Sequence, residues 1–99
     1  MPLLSIIIPV YNTGDKLKRC LNSIIEQKIS NYEILLIDDS SNYKSKKIYK
    51  SFKKKYSQIK YFKNKKKLEV GGSRNIGIRK SQGKYLFFVD SDDVVVKNF

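Results

Sequence analysis

Near the carboxyl end of this chain, "DSDD" (Asp90–Asp93) puts three carboxylates within four positions, and an earlier pair stands at Asp38–Asp39. Each cluster follows an apolar run, "YLFFV" in one case and "ILLI" in the other. A single Asp after a strand is commonly a turn residue or a helix cap, and Asp38–Asp39, followed by two serines, admits that reading as readily as a functional one. Three acids so close raise one another's pKa and repel unless a cation or several donors compensate. The chain has no histidine and one cysteine, Cys20, so the candidate ligands are hard carboxylate oxygens, which suit Mg²⁺ or Mn²⁺ rather than zinc. A metal here implies an anionic substrate. A bare carboxylate about 4 Å from a phosphate charge meets repulsion of about 4 kcal/mol at an effective dielectric near 20; a divalent ion between them reverses the sign and neutralises a departing diphosphate.

Something must bring the two clusters together. "LLSIIIPV" (Leu3–Val10) is a continuous β-branched run that reads as a strand buried on both faces. In the next segment Leu17, Cys20, Leu21, Ile24 and Ile25 form one face of a helix, with Thr13 or Asp15 as N-cap. Cys20 lies in that stripe with no evident base or metal partner and reads as core. "YEILLID" (Tyr32–Asp38) is a second buried strand. Ser40 or Ser41 then caps a helix running to about Tyr56, with the seam Ile48, Phe52, Tyr56 and Tyr49 alongside. "IKYFK" alternates as a third, less buried strand. "GGSRNIGIRKSQG" predicts a short helix entered by a tight turn and left at Gly83, and "KYLFFVD" is the fourth strand. Strands alternating with helices give an α/β fold, a Rossmann-like parallel sheet with right-handed crossovers. Ligands of such sheets bind beyond the carboxyl ends of the strands, where both acidic clusters fall.

Ninety-nine residues make one domain at most. The net charge of +12 is concentrated: Lys44–Lys67 holds twelve lysines and no acid, while the rest balances nine basic against nine acidic residues. Missing histidine and a lone cysteine exclude most zinc sites, a Ser–His–Asp arrangement and an internal disulfide. The amino terminus has no basic leader, and no apolar run approaches the roughly 18–20 residues a spanning helix needs. The expectation is a soluble or at most peripheral protein of the reducing cytoplasm, at the inner face of the cell membrane if the lysines touch anionic lipid. The lysine segment interleaves Tyr and Phe as a nucleic-acid surface does. Its aromatics fit a helix's core seam better, however, and three arginines against eighteen lysines fit poorly with base readout. A solvated basic face is the simplest reading, contact with an anionic membrane the next, nucleic acid the last.

In order and spacing, "SIIIPVYN", "EILLIDDSS", "GGSRNIGI" and "GKYLFFVDSDD" resemble the amino-terminal half of an inverting family 2 glycosyltransferase with a GT-A-type nucleotide-binding fold. The resemblance covers essentially the whole chain. It implies transfer of a sugar from a nucleotide-diphosphate donor, most simply a UDP-sugar, to a glycan or lipid-linked acceptor. It places Pro9, Val10 and Tyr11 along the nucleotide site, with Tyr11 against the base, Asp39 on the base and Asp38 supporting that loop. Arg74 would contact the nucleotide, while Asn75 and Gly77 shape their helix. Asp90 would approach the ribose and share the Mg²⁺ or Mn²⁺ with Asp92, and Asp93 would stand just outside. Residues 1–99 would then be the donor-binding part of a domain incomplete at its carboxyl end, with the catalytic base beyond Phe99, no sugar transfer by the chain alone, and strand four left as an apolar edge.

Rival classes fit less well. A receiver domain ends its first strand, not its second, in an acidic pair. Nucleotidyltransferases place a glycine-rich loop after strand one, where this chain has only "YNTGD". A non-catalytic lysine-rich module for nucleic acid or membrane leaves two acidic clusters at strand ends without a purpose.

Overall fold

A computed structural model describes residues 2–39 and 44–96. The elements run β1 (Leu4–Val10), α1 (Lys16–Ile25), β2 (Tyr32–Asp38), α2 (Lys44–Lys53), β3 (Ile59–Lys63), α3 (Glu69–Lys80) and β4 (Tyr85–Phe88). All pairings are parallel and the sheet order is β3-β2-β1-β4. Chain direction therefore reverses its lateral progress beside β1, the kind of switch point at which α/β sheets open a ligand crevice.

Periodicity explains the packing. Alternate residues of β1 and β2 face opposite sides, so Ile6, Ile8, Ile34 and Leu36 join α1 and Ile48 of α2 in the larger core. Ile7, Leu35 and Ile37 face the other way, with Ile76 of α3 packed against them. Gly77 lets α3 lie close to the sheet, since a Cβ there would come within 2.3 Å of Ile7 Cγ2. Phe52 and Tyr56 pack against the larger core, and Tyr49 stacks on Tyr61 with ring centroids 5.1 Å apart. The aromatics of the lysine segment are thus occupied with folding.

Two expectations change. The third helix begins at Glu69, so Gly71 and Gly72 lie inside it rather than in an entry turn. The α1 cap position is Asp15 without a side-chain cap bond; the Thr13 hydroxyl is hydrogen-bonded to Ser91 instead, and Asp15 pairs with Lys18 and Lys44. The fourth strand is the apolar edge expected of it: Tyr85, Leu86, Phe87 and Phe88 are all exposed beside β1. The Ser40 or Ser41 cap lies outside the described residues.

At the amino-terminal rim a polar network ties the strands together. Ser5 and Glu33 are register partners on β1 and β2, and both are buried. Glu33 accepts hydrogen bonds from Ser5 Oγ (2.6 Å), the Gln82 amide (2.7 Å) and Lys60 Nζ (2.7 Å), while Ser5 Oγ accepts the Gly83 amide at 2.8 Å. Burial alone would push the Glu33 carboxyl up; the bonds from Lys60, Ser5 and Gln82 outweigh it and hold it below its usual 4.5. A depressed folded pKa gives stability that is complete above the unfolded value and is lost as pH falls through the folded one. Urea unfolding should therefore weaken progressively below about pH 4.5. Glu33→Gln should lower stability at pH 7 by about 2 kcal/mol and flatten that acid slope; an unchanged slope would remove Glu33 from the account.

Candidate functional site

At the opposite rim, the carboxyl ends of β1 and β4 and the starts of α1 and α3 enclose a cavity of about 450 Å³. Its lining includes Pro9, Val10 and Tyr11 from the end of β1, Asp39 after β2, and Asp90, Ser91 and Asp92 after β4. Six residues singled out in the sequence for a nucleotide or metal thus meet in one place, although Asp39 and Asp92 are more than fifty positions apart.

Each segment of the rim is held for a physical reason. Gly14 at φ +67° takes the left-handed turn that starts α1. The acidic loop is fastened to α1 and the turn before it. Ser91 meets the Thr13 hydroxyl, Cys20 Sγ lies 3.6 Å from the Asp90 carbonyl, and Ser23 Oγ accepts the Val95 amide at 2.9 Å. Cys20 is fully buried; burial, with Asp93, Asp92 and Asp90 nearby, pushes its thiol up to about 12. A thiol so protonated is inert, in keeping with its place in the core.

Asp39 does two jobs. It is only 4% exposed. One oxygen accepts the Leu68 amide (2.6 Å) and Asn64 Nδ2 (3.0 Å), and the other accepts the Glu69 amide (2.8 Å). It caps the start of α3 from across the sheet, satisfying amides that the helix cannot. A carboxylate offers about four lone-pair sites, so three bonds leave capacity at the oxygen facing Glu69 for one more donor in the cavity it lines.

Asp38 is turned elsewhere. It is buried, lies outside the cavity lining, and accepts the Tyr61 hydroxyl; burial, then that bond and the Asp38 charge, push Tyr61 above its usual range. Its carbonyl accepts the Asn64 amide at 2.8 Å, so Asp38 braces the loop that Asp39 caps. Arg74 also lies outside the lining, but its guanidinium reaches Asp90 at 3.7 Å and sits 5.5 Å from the Phe88 ring centroid. Asp93 is outside the lining as well, its amide closing a turn onto the Asp90 carbonyl at 3.1 Å.

Two cations escaped the sequence reading. Lys16, first residue of α1, lines the cavity; its signal was its place in a first helical turn at the carboxyl rim. Lys67 lies 4.1 Å from the Tyr11 ring centroid, inside a lysine run that gave no reason to single it out.

The lining offers carboxylate, hydroxyl and amide oxygens with no histidine or cysteine. Among the described residues no cluster of three or more His, Cys, Asp or Glu side chains forms a closed metal cage. Asp90 and Asp92 could supply the one or two carboxylates with which a hard divalent ion is commonly held when substrate phosphates complete its shell. The donor set fits Mg²⁺ or Mn²⁺.

The parallel sheet with flanking helices is the architecture of solved glycosyltransferases of GT-A type. The chain aligns with Staphylococcus aureus TarS residues 1–349 in complex with UDP-GlcNAc at TM-score 0.88 and 28% identity, covering 96% of this chain and 28% of that one. GalNAc-T7 with UDP, GalNAc and Mn²⁺ aligns at TM-score 0.87 and 30% identity, over 97% and 19%. The chain belongs to glycosyl transferase family 2, which it matches over residues 5–99. Among curated relatives, the poly(ribitol-phosphate) beta-N-acetylglucosaminyltransferase TarP of Staphylococcus aureus strain N315 is 38% identical over 99 residues, 96% of this chain and 30% of that protein. The chain spans from 13% to 39% of the length of such relatives.

Proposed function

We propose that the chain forms the donor site of a glycosyltransferase moving a sugar, with inversion, from a UDP-sugar to a glycan or lipid-linked acceptor. The observation that carries this reading is the convergence of Tyr11, Asp39, Asp90 and Asp92 on one cavity. Half-exposed Tyr11 offers a ring face to the base, with Lys67 on the ring. The remaining acceptor capacity of Asp39 takes an N–H of uracil. Asp90 approaches the ribose and, with Asp92, holds Mg²⁺ or Mn²⁺; when bound, the ion supplies charge neutralisation to the diphosphate as it leaves. Arg74, already paired with Asp90, orients that carboxylate and balances its charge. Two similar structures hold UDP-GlcNAc and Mn²⁺ respectively, which supports the choice of donor class and ion.

Thermal unfolding with UDP plus Mn²⁺ tests the reading. Stabilisation that EDTA removes is the expected result; stabilisation by a single-stranded oligonucleotide and not by UDP would replace a donor site with a nucleic-acid module. Lys16 adds a finer expectation. Lys16→Gln should weaken UDP by about 5-fold, the worth of one exposed charge contact of roughly 1 kcal/mol, and leave uridine unaffected in calorimetry. Equal loss for both ligands would take Lys16 away from the phosphates.

A further inference from the structure

A second cavity, of about 630 Å³, lies between β3, the outer strand opposite β4, and α3. Five cations line it: Lys63, Lys65 and Lys66 at and beyond the end of β3, and Arg79 and Lys80 at the end of α3. Its lining holds no carboxylate, and its apolar residues are Phe62, Leu68 and Ile76. The five cations are exposed. Across β3, the helix α2 adds exposed Lys46, Lys47 and Lys50. The β3 edge is therefore bordered by positive charge on both faces of the sheet.

We propose that this cleft receives the phosphate headgroup of an anionic phospholipid and docks the β3 edge of the protein on an anionic bilayer. Charge complementarity carries the choice. A concave site with a cationic rim and apolar walls matches a ligand that is anionic at one end and carbon-rich behind it. Lysine is a compact point charge suited to phosphate without a fixed orientation, and four of the five cations are lysine. Single-stranded nucleic acid needs open aromatic faces on which bases stack. Here Phe62 has Lys80 Nζ 5.5 Å from its centroid, Tyr61 is stacked on Tyr49, and Phe52 and Tyr56 pack against the core. Among the described residues no helix is long and apolar enough to cross a membrane, so the contact is peripheral. It rests on this cleft alone and does not depend on the donor-site reading.

Cosedimentation of the full chain with phosphatidylserine–phosphatidylcholine vesicles in about 50 mM salt tests it. Binding should be strong, fall steeply with salt, and be absent from pure phosphatidylcholine. The triple variant Lys63→Gln, Lys65→Gln, Lys66→Gln should weaken partitioning on the order of 100-fold, since each juxtamembrane cation contributes about 5-fold. The charge-matched triple Lys46→Gln, Lys50→Gln, Lys54→Gln on and after α2 should weaken it less than about tenfold. Circular dichroism checks that both remain folded; if the first does not, Arg79→Gln with Lys80→Gln should give a loss of about 25-fold. Equal losses for cleft and α2 variants would reduce the site to diffuse charge. No binding by the parent chain, or displacement from vesicles by equimolar oligonucleotide, would overturn the proposal.

Discussion

Replacing Asp92 with Asn removes the metal-dependent part of UDP binding, an expected loss on the order of 100-fold, or about 2.7 kcal/mol. The magnitude follows from charge. A carboxylate near a bound divalent ion contributes a few kcal/mol at an effective dielectric near 20, and the amide keeps the shape while losing the charge. Asp92 is exposed at the cavity rim, so the substitution should alter unfolding free energy by no more than about 0.5 kcal/mol. A fully folded variant that binds UDP as tightly as the parent in Mn²⁺, measured by calorimetry, would remove Asp92 from the metal site.

Asp39→Asn should act on both fold and binding. The asparagine has one acceptor oxygen where three donors converge, and its NH₂ must face one of them. Losing charge-assisted bonds to the Leu68 and Glu69 amides and leaving a buried N–H unsatisfied should cost about 2–4 kcal/mol of stability in urea unfolding. UDP affinity should fall by at least about tenfold, because the amide lacks the acceptor capacity offered to the uracil N–H and disturbs the cap beside Glu69, Val70 and Ser73, which line the cavity. Asn64→Ala separates the two effects. It removes one loop-side donor to Asp39, and its own bond to Ser73 Oγ, but keeps the carboxylate. It should cost about 1–2 kcal/mol of stability and change UDP affinity by less than about 3-fold. If Asn64→Ala and Asp39→Asn weaken UDP equally, Asp39 is a cap and nothing more.

The order of elements and the side of the sheet bearing the site were legible because the sequence repeats one unit: an apolar run, then polar residues at its carboxyl end, then a helical stripe. What stayed hidden depends on contacts distant in sequence. The start of α3 is set by Asp39, about thirty residues upstream, so the glycines at 71 and 72 looked like punctuation when they are helix. Composition alone does not make "YLFF" an outer strand, since a strand's place depends on what packs beside it; only the family resemblance pointed to the exposed edge. Ser5 and Glu33 did leave a trace: each interrupts an apolar strand near its beginning, and pairing them across the sheet would have predicted a buried polar network. Lys16 and Lys67 left little, because a lysine among eighteen carries no signal until the fold shows which one faces a cavity.

In the proposed site the acids at this rim act together on one nucleotide through a metal ion. Titration calorimetry of UDP into the chain, in Mn²⁺ and again in EDTA, measures it most directly. One site per chain is expected, its affinity falling at least tenfold when the metal is removed, and Asp92→Asn should bind more weakly and equally in both buffers. Equal affinity of the parent chain with and without metal would contradict it.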